Sequence, residues 1–238
     1  MVSSPFGGVE GYRFDLLESV WSDLGFAVPR GSRVLEVGCG RAWLREYGRR
    51  AGWKYRGVDL SAPEGAEGPD ALASAEALPF ADSAFERLVC IDAYEHFRDP
   101  RRAAMEFFRV LAPGAEVFLS TPNYANVAGL VKALLEAVGT YAKDTWAPFG
   151  GWTPQANERF VTIASVNEVF LEAGFRRGRC LGSDREIHLG LFPWAAREGF
   201  AEGILYRLQA WGPNLRRALA RKFPTLSLHQ FRRWKKPG

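Results

Sequence analysis

Two glycines, Gly38 and Gly40, follow the short run Arg33-Val34-Leu35-Glu36-Val37. Small residues at such a turn let the backbone approach a ligand closely and open a helix whose N–H groups face outward. Asp59 closes the next strand-like run, Tyr55-Arg56-Gly57-Val58-Asp59, nineteen residues after Gly40. A carboxylate there suits a ribose, because its two oxygens accept from both hydroxyls. Turn and acid together point to an adenosine-containing cofactor. Farther along, His96 offers an imidazole that titrates near neutral pH and can take a proton from a hydroxyl or amine. The plainer reading of His96 is a side chain packed beside Asp99 with no chemistry. Cys39 and Cys90 read as small residues lining a sheet, since no helix-paired His or Lys argues for an activated thiolate.

The elements that must position these groups follow from periodicity. Phe14, Leu17, Val20, Trp21 and Leu24 fall at helical spacing before Gly25, which gives a helix over residues 12–25. Strand, glycine turn, a helix from Arg41 to Arg50, and a second strand make a βαβ unit. A weak third strand lies near Ala71–Ser74, and Arg87-Leu88-Val89-Cys90-Ile91 is a fourth. Asp99-Pro100 marks a helix start, with the acid as N-cap and the proline at the first helical position. Glu116–Ser120 is a fifth strand, stopped by Pro122. Alternating strands and helices imply a mostly parallel sheet with helices on both faces.

Beyond Pro122 the pattern changes. Val127, Leu130, Val131, Leu134, Leu135 and Val138 form an apolar stripe, so 126–138 is an amphipathic helix, packed on the sheet or lying over the site. Ser165-Val166-Asn167-Glu168 reads as a capping box opening a helix that closes at Gly174. Phe175–Leu181 resumes strand character, residues 190–222 are mostly helical, and Leu226–Trp234 supplies a last strand. The organisation is one domain: the N-terminal helix, a core over 30–182, a helical insertion or lid at 124–160 and a basic extension at 190–238.

Composition narrows the classes further. The 238 residues are 47% hydrophobic and 24% charged, which excludes disordered, collagen-like and coiled-coil chains. The formal charge of +4 conceals an asymmetry: residues 197–238 carry +8 and the first 196 carry −4. A uniformly basic nucleic-acid coat is therefore excluded, while the tail suits an anionic surface, a second chain, or simple solvation. Three scattered cysteines argue against a disulfide scaffold or zinc finger, and no metal is expected. No signal peptide or membrane span is apparent, and the expected compartment is the cytoplasm.

Which cofactor is meant can be argued from the third small residue. The dinucleotide pattern requires one at position 43, where this chain has Trp43; the small residue is Ala42 instead. The resulting Glu36-x-Gly38-x-Gly40-x-Ala42 resembles the first motif of class I S-adenosylmethionine-dependent methyltransferases. Ala75-Glu76-Ala77-Leu78-Pro79-Phe80 with Asp82 and Phe85, Tyr94–Pro100, Arg109-Val110-Leu111-x-Pro113-Gly114, Ser120-Thr121-Pro122-Asn123, Arg159-Phe160-x-Thr162 and Glu172-Ala173-Gly174-Phe175 continue the series. In order, they resemble the signatures of the small-molecule group called type 11, over roughly residues 30–182.

The resemblance implies an α/β, doubly wound, seven-stranded Rossmann-like fold. It implies S-adenosyl-L-methionine as cofactor, S-adenosyl-L-homocysteine as product, and transfer of a methyl group to a hydroxyl, amine or carbon of a small molecule. It places Glu36 near the cofactor's amino-acid portion, with Gly38, Cys39, Gly40, Asp59 and Leu60 around the same ligand. Ser74, Ala75 and Glu76 flank the adenine, and Ile91 and Asp92 complete the cofactor set. Ser74 stands where an aspartate commonly meets the adenine amino group. The acceptor falls to Asn123, Tyr124, Trp146, Trp152, Asn157 and Arg159, with His96 or Tyr94 as base; Asn157 stands where relatives often have His. Ala42 and Ala115 replace family glycines but stay small, so no loss is expected. The rivals are an NAD-dependent oxidoreductase, which Trp43 disfavours, and a non-catalytic module that docks an anionic partner through the tail. A homodimer is also compatible with the tail.

Overall fold

A computed structural model describes residues 8–62, 67–138, 158–184, 187–191 and 212–238. In chain order it contains α1 (Gly8–Leu24), β1 (Arg33–Val37), α2 (Leu44–Ala51), β2 (Lys54–Asp59), β3 (Ala71–Leu72) and β4 (Phe85–Ile91). A single 3-10 turn, Tyr94–His96, precedes α3 (Pro100–Val110) and β5 (Leu111–Pro122). Then come α4 (Val127–Ala137), α5 (Ile163–Glu172), β6 (Arg176–Gly182), α6 (Ile187–Leu191), α7 (Pro213–Lys222) and β7 (His229–Lys235). Two compact units result. The first comprises 1–119, 169–179 and 232–238, and the second 120–168 and 180–231.

The seven strands form one sheet in the order β3-β2-β1-β4-β5-β7-β6. β1 pairs in parallel with β2 and β4, so Glu36 lies opposite Gly57 on one side and Val89 on the other. Strand order reverses between β1 and β4, the place where open α/β sheets receive ligands. β7 runs against its neighbours. Gly114 N–H donates to Lys236 O (3.1 Å) and Asn123 N–H to Leu228 O (2.6 Å), a falling register along β5. The strand expected near Leu226–Trp234 is therefore present, and it carries part of the basic tail into the sheet.

Charge in that strand finds internal partners. Arg232 is buried with its guanidinium 4.9 Å from the Trp234 ring centre, and Arg233 pairs with Glu116. Lys236 donates to the carbonyls of Phe108 (2.7 Å) and Leu111 (2.8 Å). Trp234 stacks on Phe170, 4.9 Å between centres. On α1, Phe14, Leu17, Val20, Trp21 and Leu24 are all buried, as their spacing predicts. Trp21 meets Phe26, Trp53 and Phe118 within 6.0 Å. Each such side chain contributes about 1.5–3 kcal/mol of burial.

Several elements differ from the sequence reading. α1 starts at Gly8, four residues early, and β5 runs from Leu111 rather than Glu116. α2 starts at Leu44, not Arg41, because Ala42 takes a left-handed φ of 52° that a helix cannot contain. Asp99 caps α3 as expected, accepting from Arg101 N–H and Arg102 N–H at 3.1 Å.

Much of the apolar stripe of α4 faces outward. Leu130, Leu134 and Val138 are 69%, 62% and 60% exposed, whereas Ala128 and Lys132 are buried. Small residues turn inward here: a Cβ on Gly129 would overlap the Tyr124 carbonyl. Lys132 lays its stem inside, with its ammonium 5.5 Å from the Tyr124 ring centre and 2.6 Å from Glu136.

α5 is also capped differently. Thr162 Oγ1 accepts from Ser165 N–H (3.1 Å) while Ser165 Oγ accepts from Thr162 N–H (2.9 Å). The reciprocal pair makes Thr162 the N-cap and Ser165 the third helical residue, so the box begins three residues before the one expected. Thr162→Ala should therefore cost about 1 kcal/mol in urea unfolding. Asn167→Ala, inside the helix, should cost less than the cap substitution does.

Candidate functional site

The glycine turn is pinned to the end of β2 by backbone groups. Gly38 N–H and Cys39 N–H both donate to Val58 O, at 2.9 and 3.1 Å. Gly40 N–H donates to Asp59 Oδ2 (2.8 Å), and Ser61 N–H approaches Asp59 Oδ1 (3.3 Å). Each carboxylate oxygen thus has one donor and retains a lone pair for another. Gly38 and Gly40 both have positive φ, 73° and 51°. A Cβ on Gly38 would collide with that of Ala93, whereas one on Gly40 would project into open space. Gly40 therefore leaves the approach to its backbone clear, and Asp59 stands beside it half-buried.

Glu36 is 1% exposed and accepts a hydrogen bond from the Tyr55 hydroxyl. Cys39, buried next to both acids, has its thiol pushed up to about 12, first by burial and then by Glu36 and Asp59. Burial likewise raises the Cys90 thiol, with Glu95 and Asp92 adding to it. Neither is a thiolate at neutral pH, in keeping with a packing role.

Among the other expected cofactor residues, Ala75 is buried, Ile91 half-buried, and Leu60 and Asp92 are exposed. Asp92 takes a left-handed φ of 48° directly after β4. Ser74 Oγ accepts from Glu76 N–H (3.2 Å), and Glu76 Oε1 accepts from Asp99 N–H (2.8 Å). Glu76 thus braces the start of α3. Trp43, the residue that breaks the dinucleotide spacing, sets its ring 5.0 Å from Phe14 of α1.

His96 sits half-buried at the end of the 3-10 turn, its Nε2 4.0 Å from Glu95 Oε1. Burial lowers its pKa below the ordinary histidine value, and Asp92 opposes this more weakly. The neutral, proton-accepting form is therefore favoured. Tyr94 is buried between Phe97 (5.7 Å) and Phe170 (6.1 Å), an aromatic packing position.

In the second unit, Asn123 is fully buried and its amide donates to Thr225 O and Ser227 O, both at 3.3 Å. Tyr124 is buried, with its hydroxyl donating to Glu158. Arg159 is exposed. Trp146, Trp152 and Asn157 lie outside the described residues. The structure thus gathers Glu36, Gly38, Cys39, Gly40 and Asp59 at the ends of β1 and β2. Sequence reasoning missed Tyr55. No single-residue signal marks it: only the in-register pairing of Glu36 with Gly57 puts Tyr55, two residues back, on the face of Glu36. Among the described residues no group of three or more His, Cys, Asp or Glu side chains is placed to hold a metal ion, and no helix is long and apolar enough to cross a membrane.

Comparison with known proteins identifies the family and the fold. A methyltransferase-domain family model matches residues 9–177. The malonyl-[acyl-carrier protein] O-methyltransferase of Erwinia billingiae is 36% identical over 100 residues, 39% of each chain. A ubiquinone biosynthesis O-methyltransferase of Psychrobacter arcticus is 28% identical over 175 residues, 64% of this chain and 62% of that one. The chain spans only about two fifths of the length of the first curated relatives it matches. A crystal structure of an S-adenosylmethionine-dependent methyltransferase from Mesorhizobium loti superposes with a TM-score of 0.53 at 17% identity, covering 91% of this chain and 97% of that one. The shared fold is a Rossmann-like methyltransferase fold with a mostly parallel sheet.

Two measurements test the electrostatics. Iodoacetamide at pH 8 should label Cys180, which is half-buried, and leave Cys39 and Cys90 unmodified until the chain unfolds. For His96 the folded-state pKa lies below the unfolded one, so the unfolded chain binds more protons between the two. Stability should then fall as pH drops through about 6.5, the ordinary histidine value. His96→Gln should flatten that slope in pH-dependent urea titrations.

Proposed function

The chain belongs to the methyltransferase-domain family, and on that premise we propose that it transfers a methyl group from S-adenosylmethionine to a small-molecule acceptor. The observation that carries the reading is the Asp59 carboxylate, held by Gly40 N–H and Ser61 N–H beside a turn that a side chain would obstruct. That donor set fits a ribose: two carboxylate oxygens, already oriented, accept from two neighbouring hydroxyls. Gly38, Cys39 and Gly40 would lie along the cofactor, Glu36 toward its amino-acid portion, and Ala75 toward the adenine. When bound, the cofactor supplies a methyl on a positive sulfur, whose departure as a neutral thioether drives transfer without help from a metal or a covalent enzyme intermediate.

What remains for the protein is alignment and proton handling. Alignment is favoured by strand-end placement, since β1, β2 and β4 are held in parallel register beneath the site. We assign proton handling to His96 Nε2, which burial keeps neutral and so ready to accept a proton from an acceptor hydroxyl or ammonium. Tyr94, buried among aromatic rings, is less suited. We place the protein in a reducing compartment, the cytoplasm, because its three cysteines are free.

Calorimetry with S-adenosylhomocysteine tests the proposal directly. The native protein should bind it, and Asp59→Ala should weaken binding about a hundredfold, the loss of two hydrogen bonds to a charged group. Absence of binding to the native protein, or an unchanged constant in Asp59→Ala, would overturn the reading.

A further inference from the structure

Glu76 holds a place in the fold that the ribose reading leaves unused. It ends a short bridge, residues 73–76, that leaves β3 and runs to the start of α3. At one end Ala73 N–H donates to Asp59 O (2.9 Å), so the bridge begins at the backbone of the ribose acid. Midway, Ser74 Oγ accepts from Glu76 N–H (3.2 Å). At the other end Glu76 Oε1 accepts from Asp99 N–H (2.8 Å), three residues after His96.

The contact at Asp99 completes a helix start. In a capping box the N-cap side chain accepts from the N–H of the third helical residue, and an acid at that third position reaches back to the N-cap N–H. Asp99 performs the first half, accepting from Arg102 N–H at 3.1 Å. Arg102 cannot perform the second, because a guanidinium has no acceptor. Glu76 performs it instead, from 23 residues earlier in the chain. Arg102 turns to the bridge as well, its Nε donating to Glu76 O (3.0 Å). The same face of α3 then holds the chain that follows. Glu106 accepts from Leu78 N–H (2.8 Å), and Arg109 donates to Leu78 O (3.0 Å) and Phe80 O (2.7 Å). Arg102, Glu106 and Arg109 stand at i, i+4 and i+7, one stripe along the helix.

Two consequences meet at Glu76. The first N–H groups of a helix have no partner within it, so the start of α3 is complete only while residue 76 sits against it. The 3-10 turn just before is short, with His96 N–H on Ala93 O (3.0 Å) and Phe97 N–H on Tyr94 O (3.2 Å). Asp99 anchors its far end. We propose that Glu76 is a positioning residue: by capping α3 from the bridge it ties the His96 turn to the backbone of the ribose acid, so that a nucleoside seated at Asp59 also orders the turn. The inference rests on the cofactor reading above and adds to it a link between the cofactor and the proton-handling group.

Amide hydrogen exchange, followed by NMR on the full chain with S-adenosylhomocysteine as ligand, tests the link. Where local opening and binding exclude each other, ligand at about ten times its Kd slows exchange about tenfold. The His96 and Phe97 amides should show that slowing in the native protein. In Glu76→Ala, with ligand at about ten times the variant's own Kd, the slowing should fall below about twofold. Glu76→Gln, whose amide oxygen still accepts, should keep it. A merely structural role would speed exchange of these amides with and without ligand and leave the ratio as it was. Arg102→Met supplies a second route should Glu76→Ala fail to fold, since it removes the donor to Glu76 O and keeps an unbranched stem on the helix. The ratio should fall there too. An unchanged ratio in Glu76→Ala, or in Arg102→Met where the first variant does not fold, overturns the role of Glu76. Absence of slowing in a native protein that binds the ligand does the same. Failure of the native protein to bind S-adenosylhomocysteine overturns the cofactor reading itself, and with it this one.

Discussion

The hydrogen bonds that tie the glycine turn to the end of β2 are the constraint on which the site depends. Val58 O receives two backbone donors from the turn, Gly38 N–H and Cys39 N–H, and Asp59 receives a third from Gly40. Together they fold the chain back sharply after β1, at three left-handed positions, Gly38, Gly40 and Ala42. Ala42 bears a steric cost of about 1–2 kcal/mol at such a φ. It is retained because its N–H bonds Cys39 O (2.8 Å) and its methyl is buried. Only after Ala42 does α2 begin. The delay lets the turn present backbone to the site while Trp43 swings onto α1. Asp92 adopts a similar φ after β4, so the two strands at the reversal of sheet order end in comparable turns. Ser83, left-handed before β4, shows that such positions are not confined to the site.

The same economy of means governs charge. A basic C-terminal segment invites a search for an anionic partner, yet much of it is used inside the fold. Arg232 lies over Trp234, Arg233 meets Glu116, and Lys236 closes two carbonyls at the end of α3. A lysine at that place also suits the negative end of the helix dipole. The cations of α7, Arg221 and Lys222, fall in its last turn and answer its dipole in the same way. Surplus charge read from composition is therefore partly structural charge, bound to carbonyls, rings and one acid.

How much was legible in the sequence depends on what kind of signal each element carries. The turn, β1, β2, Asp59 and the Asp99 cap were legible because glycine, strand alternation and capping residues each act through local backbone geometry. The face of α4 was not. Apolar spacing gives a helical period, but burial is decided by what can approach, and Ala128 and Gly129 allow a close approach that leucines do not. Lys132 follows them inward because its stem is apolar and Glu136 lies one turn on. The start of α5 was obscured by redundancy: Thr162 and Ser165 are both good caps, and only the reciprocal bonds between them decide which one is the first. Tyr55 was invisible as a single residue. It gains meaning only through the pairing of Glu36 with Gly57, a relation between strands.

This difference also separates the residues proposed for the cofactor from those proposed for the acceptor. Glu36, Gly38, Gly40 and Asp59 stand on neighbouring strands whose register is fixed by backbone pairing, so their spacing tolerates little change. Asn123 and Tyr124, at the end of β5, are committed otherwise. Asn123 uses its amide on Thr225 O and Ser227 O, and its Oδ1 accepts from Ala125 N–H at 3.2 Å. Asn126 joins the same set, donating to Asn123 O and Ser227 O while capping α4. These amides tie the end of β5 and the start of α4 to residues 225–228, within the second unit. Changing Asn123 would strip buried carbonyls of their donors before it altered any preference among acceptors. A residue spacing that resembles a substrate motif can thus also mark a structural joint.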